Sequence, residues 1–224
     1  HVMRVATGKN LTDTIPFTRA SSVAWLADES GFYYTRLPDP ATVPEGEQGF
    51  HRRMYFHKLG TDSATDPLIY GDHLPKETWV SCASTSDYSQ LMVFTSLDWA
   101  KNDLYIRPLD AALDAPFTTI AEGEDGQIAA DAYDGILYLH SNVGHPRYRI
   151  LTAPVADPTN QTELIPESEG VMQSFVIADG TFVLEVLENA HSVVRLYKLD
   201  GTLRQEVELP TLGTVGELSA NQGE

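Results

Sequence analysis

Residues 22–36 read SVAWLADESGFYYTR. Two short runs rich in aromatic and β-branched residues, 22–26 and 31–36, flank a turn made of Asp, Glu, Ser and Gly, the pattern of a β-hairpin. The same kind of run recurs down the chain as RMYFHKL (53–59), QLMVFTS (90–96), DLYIRPL (103–109), ILYLHS (136–141), YRILTA (148–153), TFVLEVL (181–187) and SVVRLYKL (192–199). Within each pair of runs the starts lie about ten to twenty residues apart, too close for helices to alternate with strands.

A longer period lies over these runs. An apolar strand, an aromatic strand, a third strand and a shorter fourth form a phrase that repeats. Third strands begin near residues 53, 103, 147 and 192, separated by 50, 44 and 45. First strands fall at 22–26, 78–83, 127–132 and 171–178, and fourth strands at 67–70, 117–120, 163–165 and 203–208. A period in the mid-forties with four strands each defines an all-β fold, a β-propeller of four-stranded antiparallel blades. About four blades are expected, at 21–70, 78–120, 126–165 and 170–209. Residues 1–20 and 211–224 then read as partial flanking blades, with 2–7 a last strand of an earlier blade and 213–218 the start of a later one.

Composition narrows the function. The chain of 224 residues is 42% hydrophobic, with 15 basic and 32 acidic residues and a formal net charge of −17. Phosphate neutralisation needs clustered Lys and Arg, and the only adjacent basic pair is Arg52–Arg53. Nucleic acid and anionic membrane are therefore not expected partners, and no run approaches the ~20 apolar residues of a membrane helix. The acidity is uneven: residues 1–112 carry 10 basic and 14 acidic groups, residues 113–224 carry 5 and 18. This reads as a solubilising surface. Cys82 is the one cysteine, which excludes an internal disulfide framework and leans toward a cytoplasmic setting.

Motifs that carry chemistry are missing. There is no G-x-S-x-G elbow, P-loop, G-x-G-x-x-G or H-E-x-x-H, so no catalytic residue, metal ligand or cofactor is assigned. The seven histidines do not pair at metal-ligand spacing; His57 and His140 sit inside strand patterns. The acidic run Glu122, Glu124, Asp125 lacks the calcium-loop pattern and reads as a solvated turn. Asp131 is the one acidic residue of the first strands, which speaks against a carboxylate-pair glycosidase. Two sequons, at Asn10 and Asn160, are the only modification signals. Cys82 reads as a small buried hydrophobe.

Four segments resemble the propeller of the prolyl oligopeptidase family: SVAWLADESGFYY (22–34), YFHKLGTD (55–62), TWVSCA (78–83) and SNVGHPRYRILTAPVADP (141–158). The resemblance runs from about residue 3 to 219. It implies a serine peptidase cleaving short peptides after proline, in which a seven-bladed propeller caps an α/β-hydrolase domain that carries the catalytic triad. This chain would then be a section of that propeller, inactive alone, partnered by the hydrolase domain of the same parent chain and by oligopeptide substrate. Val80 matches a position where an apolar residue approaches the third substrate subsite. The loop 97–101 (LDWAK) lacks the Cys and Arg that some members carry there, and Trp99 stands as an apolar substitute. The connector 37–50, rich in Pro and Gly, is expected to be an adaptable element of the rim. A cut propeller would expose blade faces, from which a dimer is expected. The alternative is a stand-alone four-bladed propeller acting as an interaction scaffold.

Overall fold

The computed structural model describes residues 1–216 and 218–220. Strands β1 (Met3–Arg4) and β2 (Lys9–Asn10) form a two-stranded hairpin. Four sheets of four strands follow. The first is β3 (Val23–Trp25), β4 (Gly31–Arg36), β5 (Arg53–Lys58) and β6 (Leu68–Tyr70); the second is β7 (Trp79–Ser84), β8 (Gln90–Ser96), β9 (Asp103–Pro108) and β10 (Thr118–Ala121). The third is β11 (Ile128–Tyr133), β12 (Ile136–Ser141), β13 (Arg149–Pro154) and β14 (Thr162–Ile165); the fourth is β15 (Val171–Ala178), β16 (Thr181–Glu188), β17 (His191–Lys198) and β18 (Leu203–Val207). Each sheet keeps its strands in chain order, as a blade does. The all-β, four-stranded-blade reading of the sequence holds.

Local chemistry accounts for the meanders. Asp134–Gly135 and Asp179–Gly180 join first to second strands, with φ of 49° and 76° and of 44° and 64°. Both residues of each pair are left-handed, the requirement of the two-residue turn that matches strand twist. Gly31 has a different cause: a Cβ there would meet the His57 carbonyl at 2.5 Å and the Phe56 ring at 2.8 Å. The fourth strands join less regularly. Register shifts fall at Met54/Tyr55, Ile150/Leu151 and Leu196/Tyr197, the same place in three blades. A bulge at an edge twists that strand away from the ladder, which is why the fourth strands are short.

The N-terminal reading needs a correction. Residues 2–7 do not form one strand of an earlier blade. Only Met3–Arg4 is extended, because the Thr7 and Gly8 amides both bond back to the Arg4 carbonyl, at 3.1 and 2.9 Å, and turn the chain onto β2. At the other end, described residues 213–216 and 218 form no strand. Gly213 instead accepts the Ser192 amide at 2.8 Å. Glu217 and residues 221–224 of that expected flank lie outside the described residues.

The chain divides into two compact units. The first is His1–Ser84, Tyr88–Trp99 and Leu104–Thr118; the second is Thr85–Asp87, Ala100–Asp103 and Thr119–Glu224. In the first, Ala24, Tyr33 and Met54 of one blade bury against Val80, Cys82, Leu91 and Val93 of the next. In the second, Tyr138, Ile150 and Ile165 of one blade bury against Met172, Phe182, Leu184 and Val186 of the next. Alternation along each strand supplies one apolar face per blade for these seams.

Candidate functional site

Three connectors meet at one end of the first unit. Arg36 at the close of β4 pairs with Arg53 at the start of β5, so the connector 37–52 loops out at that end. Trp79 at the start of β7 pairs with Ser96 at the close of β8, which brings the 71–78 connector and the 97–99 turn to the same place. The His51 amide donates to the Lys76 carbonyl at 2.8 Å and ties the first two connectors together.

Side chains reinforce that tie. Glu47 accepts from Lys76 Nζ at 2.7 Å and lies 2.8 Å from His51 Nε2. Lys76, then His51, hold the Glu47 carboxyl below the usual carboxylate range, and Glu47 in turn raises the Lys76 ammonium. The connector 37–50, expected as a rim element, is thus tethered at Glu47. It also contains a 3-10 turn, Pro40–Thr42, whose first amide is capped by Asp39 at 2.9 Å.

Arg52 organises the same end. Its guanidinium donates to the carbonyls of Arg19 at 2.8 Å and Ala20 at 3.0 Å, and lies 4.1 Å over the Trp79 ring. Arg53 donates to the Arg52 and Leu74 carbonyls at 2.9 and 3.0 Å. Two guanidiniums therefore hold backbone loops, and burial lowers the pKa of both. Arg52 covers one face of Trp79 and leaves it 47% exposed, with Leu97 68% and Trp99 95% exposed on the neighbouring turn. Apolar side chains this open, grouped on a rim of cations, offer a contact surface.

The two residues singled out from sequence part company. Trp99 stands on this rim. Val80 is 0% exposed, within the core that includes Ala24, Tyr33 and Cys82. Being next to Trp79, it points to the opposite face of β7, so its side chain is spent on the blade seam and offers no contact surface in this unit. The sequence missed Trp79, Arg52 and Glu47. Arg52–Arg53 as the only basic pair was the available signal, and nothing local links it to Trp79.

The other candidates are structural. The Cys82 amide donates to Ser22 Oγ at 2.8 Å, and burial pushes its thiol up to about 12, which removes it as a nucleophile. The Asp131 carboxylate accepts the Ser86 amide and hydroxyl, each at 2.7 Å. His140 is buried and stacked on Tyr148 at 4.3 Å; burial pushes it down to about 4. Among the described residues, no three or more His, Cys, Asp or Glu side chains gather as metal ligands do.

Blades of four antiparallel strands place this molecule among β-propellers. The whole chain, residues 1–224, matches the prolyl oligopeptidase N-terminal β-propeller domain, and the chain belongs to that family. It is 30% identical over 229 residues to a prolyl endopeptidase of Elizabethkingia miricola, covering 100% of this chain and 32% of that one. It is 29% identical over 203 residues to prolyl oligopeptidase A of Galerina marginata, covering 85% and 28%. Among solved structures it resembles one from a study of two prolyl endopeptidases and the role of their inter-domain dynamics in catalysis and specificity, with a TM-score of 0.86, 25% identity and coverage of 95% and 32%. The chain thus spans about a third of the length of the curated relatives it matches.

Proposed function

We propose that this chain is the substrate-selecting propeller of a serine peptidase that cleaves short peptides after proline. The observation that carries this reading is the match of the whole chain to the N-terminal propeller of prolyl oligopeptidases. In this reading the partner is the hydrolase domain of the same parent, which supplies the nucleophile, acid and base. The propeller contributes confinement: a flexible oligopeptide enters, and a compact protein does not. The rim of Trp79, Trp99 and Leu97 is the surface offered to that domain or to the peptide.

The test uses the parent peptidase and the 224-residue chain side by side on a Gly-Pro anilide and on a longer proline-containing peptide. The parent cleaves both, and the chain alone cleaves neither; post-proline cleavage by the chain alone would overturn the division of labour. In the parent, Trp99→Ala is expected to raise KM for the longer peptide several-fold, with little change on the anilide. Unchanged KM and kcat on both substrates would remove Trp99 from the rim's function.

A further inference from the structure

The fourth blade has a face that the third blade does not use. Phe182, Leu184 and Val186 of β16 bury against the third blade. Side chains alternate along a strand, so Val183, Glu185 and Leu187 point the other way. Residues directly opposite on neighbouring strands share a face, which adds Ser174 and Val176 of β15 and Ser192 and Val194 of β17. Val176, Val183 and Leu187 are half-buried, so this aliphatic sheet face is only partly covered.

At its centre stands Glu185, 6% exposed. Ser174 Oγ donates to one carboxylate oxygen at 3.0 Å, and Ser192 Oγ donates to the other at 2.8 Å. Two hydroxyls fill about half of a carboxylate's acceptor sites and bring no charge. Among the described residues, no cation lies within ion-pair distance of Glu185. Arg195, on the adjacent strand, stands opposite Leu184 on the third-blade face and pairs there with Glu188 and Glu206 at 2.8 and 3.2 Å. A carboxylate held among valines and leucines with no counter-charge is costly.

The first unit shows what meets the equivalent place. There Ser22, just before β3, and Thr35 of β4 lie two residues beyond the seam pair Ala24 and Tyr33, their hydroxyls 3.2 Å apart. Ser174 and Glu185 likewise lie two residues beyond Val176 and Val183. The second blade supplies the donors to the first: the Cys82 amide reaches Ser22 Oγ at 2.8 Å, and the Arg107 guanidinium reaches the Tyr33 hydroxyl at 3.3 Å. The later blade thus brings a buried cation to the second strand of the earlier one. The chain turns toward the same place on the fourth blade, where Gly213 accepts the Ser192 amide at 2.8 Å and the Val215 amide donates to Ser192 Oγ at 3.0 Å.

Given that the chain is the propeller portion of a larger peptidase, we infer that the blade following in the parent packs on the Val176, Val183 and Leu187 face and brings one guanidinium or ammonium onto Glu185. The cation takes the acceptor sites that the two serines leave open and offsets the burial of the carboxylate. It also selects the occupant, because an apolar sheet without such a side chain would strand the charge.

The test places Glu185→Gln, which keeps the side-chain shape, in the parent peptidase and in the 224-residue chain, and reads the thermal midpoint of the propeller in each. The chain alone is expected to hold or gain, since a charge without a counter-ion is removed. The parent is expected to lose roughly 5 °C or more, since its cation is left buried and alone. Glu185→Met extends the contrast, neutral or stabilising in the chain and more damaging than Gln in the parent. A Gln parent that fails to fold while the Gln chain folds is the same result in its extreme form. Shifts of one sign in both proteins, an unmoved parent, or a Gln chain that does not fold would each overturn the pairing. A chain midpoint that rises with protein concentration and falls with Glu185→Gln would assign the face to a second copy and overturn the blade as its occupant. Cleavage of the Gly-Pro anilide by the unmodified parent is measured alongside. Its absence removes the peptidase reading and leaves the midpoint comparison intact, whereas cleavage with midpoints that move together removes the pairing alone.

Discussion

The two units solve the same packing problem with different chemistry. In the first, the seam between blades contains a buried cation. Arg107 is 2% exposed, donates to the carbonyls of Leu113 and Ala115 at 3.1 and 2.8 Å and to the Tyr33 hydroxyl at 3.3 Å, and lies 4.6 Å over Phe117. In the second, the seam holds no buried guanidinium among the described residues and is built mainly from rings: Phe182 stacks on Phe175 at 4.9 Å and lies 5.8 Å from Tyr138. Of its buried ionisable groups, Glu185 stays within its blade, accepting from Ser174 and Ser192 at 3.0 and 2.8 Å, while His140 reaches across the seam to the Met172 backbone. The difference teaches that a blade seam tolerates a buried charge where loop carbonyls supply acceptors, and relies on shape where they do not.

The comparison can be broken by truncation. Phe182→Ala empties a ring-sized volume in the second unit and is expected to destabilise it by about 4 kcal/mol, read as a shift of its urea transition. Arg107→Met keeps most of the volume but strands two carbonyls and a hydroxyl, at an expected cost of about 2–3 kcal/mol to the first unit. A smaller loss for Phe182→Ala than for Arg107→Met would reverse the assignment of shape and charge to the two seams.

Acid sharpens the contrast further. Burial pushes His140 down to about 4 from 6.5, against the pull of its hydrogen bond to the Met172 backbone. The unfolded chain therefore binds a proton that the folded one refuses, and stability falls as pH drops from about 6.5 toward 4. The loss is at most about 3 kcal/mol and belongs to the second unit. Replacing the ring by Phe in His140→Phe should flatten that slope; an unchanged slope would place the acid sensitivity elsewhere.

The strands were legible because their signals are local. All four 171–209 strands lie where the pattern puts them, bounded by turns such as Asp179–Gly180, whose left-handed φ values need only those two residues. The fourth strands were legible in place but weaker in pattern, because three of them join through bulges that break the alternation. The rim was half legible. Trp99 stands out as a large aromatic in a polar turn, whereas Trp79 acquires its role only from Arg52, which arrives from another blade. Val80 was illegible in its burial for the same reason: one residue along β7 decides between rim and core, and only the seam shows which face is which.

Local sequence thus settled the blade repeat, the hairpin turns and the absence of catalytic motifs, since each depends on neighbours within a few residues. Tertiary structure alone settled the pairings. Asp13 reaches His57 across 44 residues and Tyr34 reaches Asp66 across 32, contacts whose energy comes from shared burial rather than from any local propensity. The rim and the Asp13–His57–Asp66 cluster are made of such contacts, so both became visible only once the sheets were stacked.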